Sequence, residues 1–206
     1  LGEDPSSTDL TAASGQDFGK GHKHITAGDG GVMVLPNQEL ADRAILLRWY
    51  GIDRRARTEF RCEADIPEWG YKFHMNDINA VIGMSNLACA DEVVAAHQAN
   101  ARYYRYALAG IDGITLLEDQ PDRTSGSWLF TLRVQRRDDF DRALRSHGVM
   151  TSRVHERNDK HSCVAQFRTP LPGMDQLQAE MTCIPVGWWV HREQREYIVE
   201  VICRGW

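Results

Sequence analysis

The spacing of hydrophobic and polar positions changes several times along this chain, and each change predicts an element. Residues 1–22 are rich in Gly, Ser, Thr and Asp, show little apolar periodicity and read as irregular. Val32-Met33-Val34-Leu35 is a short apolar run stopped by Pro36, the pattern of a buried strand. Asn37 can then cap a helix over about residues 38–49, with Leu40, Ala44 and Leu47 on one face. Residues 50–70 carry Arg54, Arg55, Arg57, Glu59, Arg61 and Glu63 and read as a solvated or interface loop. A second helix starts at Asn76 or Asp77. Its Ile78, Val81 and Ile82 share a face and its Ala80, Gly83 and Ser85 are small, so the pattern predicts a buried helix with close helix contacts. A third helix spans about 91–108, where Val94, His97, Ala101, Tyr104 and Leu108 recur in steps of three and four and Gly110 closes the run. His97 on that stripe reads as a core or boundary histidine rather than a ligand.

Beyond residue 110 the pattern alternates between strand and helix. Ile114 to Leu117 is a short strand. Trp128, Phe130, Leu132 and Val134 alternate with Leu129, Thr131 and Arg133, which is a strand signature. Asp138 to His147 is helical, with Phe140, Ala143 and Leu144 on one face and Gly148 after it; Val149 to Val154 is a further strand. Residues 155–182 are polar and loop-like. Cys183 to Val190 is extended, because Pro185 does not sit in a helix interior. Arg192 to Cys203 is the last helix, with Tyr197, Ile198, Val201 and Ile202 on one side. The shift in composition near 90–110 marks a domain boundary. The expected organisation is an irregular segment over 1–22, a first unit over 23–95 and a small C-terminal α/β domain over 96–206.

Composition narrows the function classes. The 206 residues are 42% hydrophobic and 26% charged, with a net charge of -5, so no broad basic field invites nucleic acid or an anionic membrane. No apolar run approaches the roughly 20 residues of a membrane span. The N-terminal Leu1-Gly2-Glu3-Asp4-Pro5 lacks the basic and apolar regions of a signal peptide, and the missing initiator Met suggests a truncated or processed chain. Five dispersed cysteines without a Cys-x-x-Cys pair fit a reduced, cytoplasmic protein and give no metal pattern.

The stretch with chemistry in it is Lys23-His24-Ile25-Thr26-Ala27-Gly28-Asp29-Gly30-Gly31. A lysine amine condenses with an aldehyde when it is held in place and partly desolvated, and the glycines allow a turn that approaches other groups closely. Lysine beside glycine is also the composition of an ordinary surface turn, and on the residues alone a small α/β binding domain stays open.

Two further segments change that balance. Gly70-Tyr71-Lys72-Phe73-His74-Met75-Asn76-Asp77 precedes the second helix, and Cys183-Ile184-Pro185-Val186-Gly187-Trp188-Trp189-Val190 precedes the last. Together with the Lys23 stretch, in the same order and spacing, they resemble the DegT/DnrJ/EryC1/StrS sugar aminotransferases, enzymes of fold type I that use pyridoxal 5'-phosphate (PLP). The resemblance covers about residues 23–206. It implies an α/β chain that forms the C-terminal part of a PLP-dependent transferase fold, a partial large domain plus a small α/β domain. It implies that Lys23 is the Schiff-base lysine and proton shuttle, and that Asn76 reaches the PLP phosphate of a neighbouring subunit in a homodimer. His155 falls where the family contacts the sugar, although it can equally be a surface-loop residue. The implied substrates are a nucleotide-linked keto-deoxy sugar and an amino-acid donor, usually glutamate. His22 and His24 flank position 23 without occupying it, which argues for amine transfer over the dehydration seen where histidine replaces the lysine. One departure is Phe18, at the position where the family usually has a phosphate-binding serine. The other is length: the family runs to nearly twice this size, and its N-terminal half carries the Asp at the pyridine nitrogen and the aromatic residue stacked on the ring. Both departures leave open a catalytically incompetent relative that only folds or associates.

Overall fold

The computed structural model describes residues 24–28, 30–31, 33–55, 61–63 and 65–206. Helix α1, Gln38–Leu47, begins as its sequence predicts: the Asn37 side-chain oxygen accepts the Leu40 N–H at 2.9 Å. At its end the chain doubles back. Tyr71 N donates to Leu47 O at 2.7 Å and Phe73 N to Arg48 O at 2.9 Å, so residues 71–73 run extended beside residues 48–50.

Helix α2, Asp77–Leu87, is capped by Asn76, whose Oδ1 accepts the Asn79 N–H at 2.9 Å. A kink of 56° separates it from the longer helix α3, Ala90–Ala107. The expected burial of α2 is corrected here: the helix has no buried residue, with Ile78 at 74% and Met84 at 73% exposure. Its sequence is apolar enough for a core, but no other described element covers that side. The strand expected over Val32–Leu35 does not form among the described residues either. Met33 and Val34 are exposed, and an extended run with no partner strand leaves its backbone groups to water.

The C-terminal part holds the core. Strands β1, Ile114–Leu116, β2, Phe130–Val134, and β3, Met181–Ile184, form one antiparallel sheet in the order β1-β2-β3. Register pairs Ile114 with Val134 and Phe130 with Ile184. Alternation along β2 sends Phe130, Leu132 and Val134 into the core. There they meet Ala101, Tyr104 and Leu108 of α3, Phe140 and Leu144 of helix α4, Arg137–Ser146, and Ile198, Val201 and Ile202 of the last helix, Arg192–Cys203. The strand expected over 149–154 shrinks to one bridge, Ser152 with Cys183. The polar stretch 155–182 contains an unforeseen helix, α5, Pro172–Glu180. Pro172 stands in its first turn, where a missing N–H costs nothing. Glu180 at its end pairs with Arg133 of β2 at 2.6 Å. The last helix is therefore α6.

Buried polar groups tie α3 to the loop after β3. The Asn100 amide donates to the carbonyls of Val186, Gly187 and Val190 at 3.2, 3.1 and 2.9 Å and accepts from Arg195 at 3.1 Å. Tyr104 donates its hydroxyl to Pro185 O at 2.9 Å, and burial pushes its phenol pKa upward. All five cysteines are free thiols. No single helix among the described residues is long and apolar enough to cross a membrane, and no cluster of three metal-binding side chains occurs among them.

Candidate functional site

Lys23 lies outside the described residues; the stretch that follows it is fixed at several points. The first anchor is His24, whose Nε2–H donates to Gly126 O at 2.7 Å, across 102 residues of sequence. Its ring stands edge-on to His97 of α3, with centroids 4.6 Å apart. Gly126 is required at this contact, since a β-carbon there would lie 2.9 Å from His24 Cε1. The second anchor is α2. Asn86 donates its side-chain amide to Thr26 O at 2.8 Å, and a β-carbon on Gly83 would come within 3.1 Å of Ala27 Cβ. Gly83 of α2 thus serves a close contact, made with Ala27 rather than with another helix. Thr26 and Ala27 are buried as a result. Gly28 then turns with φ +85°.

His97 is the hub between these anchors. It is 2% exposed, its Nδ1–H donates to Ser127 O at 3.1 Å, and Trp189 stands edge-on at 5.9 Å. The neighbouring Gln98 holds Ser125 O at 2.9 Å, so α3 grips the whole 125–127 loop. Burial lowers the His97 pKa to about 4; the hydrogen bond to Ser127 opposes the shift and the nearby His24 adds to it. The folded chain therefore favours neutral His97. The stability this gives is fully present above the unfolded value of about 6.5 and is lost as pH falls toward 4. The expected loss is roughly 1–3 kcal/mol. Urea unfolding at pH 7 and pH 5 should show this difference, and His97→Gln should shrink it. An unchanged pH dependence in the variant would contradict the assignment.

The other two expected site residues stand apart. Asn76 is exposed at the start of α2: its Oδ1 is spent on the cap, and its amide nitrogen has no partner among the described residues. His155 is exposed too, its ring 6.2 Å from Trp128 and its carbonyl accepting from Gln178 at 3.1 Å. Neither makes a hydrogen bond or ring contact with residues 24–28. The sequence reading missed Asn86 and Gly126. Asn86 sits one turn beyond Gly83 on α2, a polar residue among small ones, and that spacing was the available signal.

The model of the DegT/DnrJ/EryC1/StrS aminotransferase family matches residues 18–203, from before Lys23 to the end of α6. The chain belongs to this family. Its members are PLP-dependent as a family. Solved structures similar to this fold include the sugar aminotransferase CalS13 from Micromonospora echinospora, 44% identical with a TM-score of 0.86 over 90% of this chain and 50% of that one. AtS13 from Actinomadura melliaura is 45% identical with a TM-score of 0.85, over 89% of this chain and 49% of its own. A dTDP-3-amino-3,4,6-trideoxy-alpha-D-glucose transaminase from Streptomyces venezuelae is 28% identical across 87% of this chain and 46% of its own length. The chain thus spans about half the length of these family members. Its combination of helices and antiparallel sheet is consistent with part of an α/β aminotransferase fold.

Proposed function

We propose that this family member works as a PLP-dependent sugar aminotransferase, moving an amino group from an amino acid, with glutamate the donor expected, to a nucleotide-linked keto-deoxy sugar. The supporting observation is the clamped segment after Lys23. A lysine that must present its amine to one atom needs a fixed backbone, and the contacts of His24, Thr26 and Ala27 fix the residues next to it. The residues present suit the cofactor at a second point: the Asn76 amide nitrogen, left over from the helix cap, is a donor of the kind a phosphate takes, at a helix start. When bound, PLP would act as the electron sink that carries the amino group. Lys23 would hold the aldehyde end and move the proton at the reacting carbon, Asn76 would donate to a phosphate across a homodimer, and His155 would face the sugar. The large-domain part would run over 23–95 and the small domain over 96–206, with α3 carrying the connection, in a cytoplasmic enzyme.

A second reading, a relative that associates without catalysis, is favoured by one residue: Phe18 offers no hydroxyl to a phosphate. Absorbance during titration of the chain with PLP tests the choice. A saturable visible-edge band that moves when glutamate is added is expected. No band at millimolar PLP would overturn the enzyme reading for this chain.

A further inference from the structure

A cavity of about 220 Å³ lies along α4, lined by Asp138, Asp141, Arg142, Arg145 and Arg153. The four α4 residues follow the i, i+3, i+4, i+7 spacing of one helical stripe. Arg153 arrives from the neighbouring segment, which the backbone bridge between Ser152 and Cys183 fixes against β3. Asp141 is set from the same strand, where Thr182 donates its hydroxyl to Asp141 Oδ1 at 2.8 Å.

Asp141 is the unusual member. It is 5% exposed, and a buried carboxylate is ordinarily paired with a cation or fully hydrogen-bonded. Among the described residues it is neither. Its side chain's only hydrogen bond is the one from Thr182, and it makes no ion pair although Arg145 stands one turn further along the same stripe. Arg145 instead donates to Thr151 O at a long 3.4 Å, and it too pairs with no carboxylate among the described residues. Arg153 reaches Asp138 only at 3.9 Å, beyond a hydrogen bond, while Asp138 accepts from Arg137 at 2.9 Å. Arg142 is taken by Asp139. The cavity therefore holds one buried carboxylate and two guanidinium groups with donors to spare.

Those unspent groups select a ligand. A simple anion would suit the arginines and be repelled by Asp141 and Asp138. A simple cation would suit Asp141 and be repelled by three arginines. A molecule that carries both charges a few bonds apart meets both needs. A guanidinium fork takes a carboxylate through two parallel hydrogen bonds, and an ammonium donates up to three. No guanidinium is left over for a second carboxylate. The volume is below the roughly 300–1,000 Å³ of drug-sized sites, which favours a small side chain.

We infer that this cavity binds a small neutral α-amino acid, its carboxylate on Arg145 and Arg153 and its ammonium on Asp141. The site does not rest on the aminotransferase reading, because none of its residues is assigned there to the cofactor, the amino donor or the sugar. The test is an NMR titration of the 206-residue chain without PLP, following the backbone amides of Asp141, Thr151 and Arg153. The probes are L-alanine, acetate, methylammonium and inorganic phosphate. L-Alanine should shift these amides saturably in the millimolar range. Acetate and methylammonium each carry one of its two charges and should bind at least about tenfold more weakly. Arg145→Gln with Arg153→Gln should weaken alanine binding by at least about tenfold, as should Asp141→Asn. The asparagine keeps an oxygen for Thr182, and the double arginine variant, changed only at exposed side chains, decides the matter if Asp141→Asn does not fold. Lys23→Ala should bind alanine as the parent chain does, which separates this site from an amino acid handled at Lys23. No shift with alanine, unchanged affinity in the double arginine variant, or loss of the response in Lys23→Ala overturns the site. Phosphate or acetate binding as tightly as alanine overturns the amino-acid assignment. A missing absorbance band with PLP would overturn the aminotransferase reading and leave this result standing.

Discussion

Lys23→Ala is expected to abolish the PLP-dependent absorbance band, whereas Lys20→Ala should leave it in place. The two lysines are three residues apart in a stretch where local composition does not distinguish them. The anchors do. His24, Thr26 and Ala27 are each held by contacts from α2 or the 125–127 loop, and position 23 is one peptide from the first of these. An amine one residue from a fixed point sweeps a small volume, and an amine four residues away sweeps a large one. Positioning of that kind is what raises effective molarity in an amine–aldehyde reaction. In the role proposed for Lys23, loss of the amine would remove both the attachment point and the proton carrier, and general acid–base catalysis alone is worth about 10²–10⁴ in rate. Turnover with a keto-sugar acceptor should therefore fall by at least about a thousandfold in Lys23→Ala. The melting temperature should barely move, since the substitution removes none of the anchoring contacts. Equal bands from the two variants would mean that the reactive amine lies elsewhere.

Much of the fold was legible in local pattern. The last helix runs over the predicted Arg192–Cys203, and β2 shows the alternation expected of Phe130, Leu132 and Val134. Where local pattern misled, a long-range partner was absent or present against expectation. Ile78 and Val81 look like core residues because they are apolar and evenly spaced, yet periodicity does not say whether a covering surface lies within the chain. Pro172 and Gly173 read as breakers, but proline at a helix start fits α5. Val149–Val154 has strand composition, but it holds Cys183 by one bridge only. The site shows the same division. Lys23 stood out through its glycine turn and two distant segments. Nothing near His24 in sequence announces that the carbonyl of Gly126, more than a hundred positions away, will accept its hydrogen bond. The backbone pairing that sets Lys72 opposite Trp49 is likewise not encoded in any short window.

Phe140→Ala is expected to cost the C-terminal unit about 3–5 kcal/mol, a large part of the roughly 5–15 kcal/mol that holds an ordinary domain folded. Phe140 is fully buried, on the α4 face that meets the sheet, and its ring stands edge-on to Trp206 at 5.1 Å. Neither β2 nor α6 can slide into the space a deleted ring leaves, because β2 is paired on both sides and α6 also packs on α3. Phe140→Leu, which leaves a smaller void, should cost less than Phe140→Ala. Met84→Ala, an equally apolar deletion on the exposed face of α2, should stay within about 0.5 kcal/mol. Urea midpoints for the three variants provide the comparison, and a Phe140→Ala cost below about 1 kcal/mol would contradict the packing described here. The effect should also reach the candidate site. The carbonyls of Gly126 and Ser127 that hold His24 and His97 lie just before β2, which starts at Phe130, and β2 is positioned by this core. A loosened core should weaken both contacts, let water reach His97 and shrink the acid-dependent loss of stability tied to its neutral form.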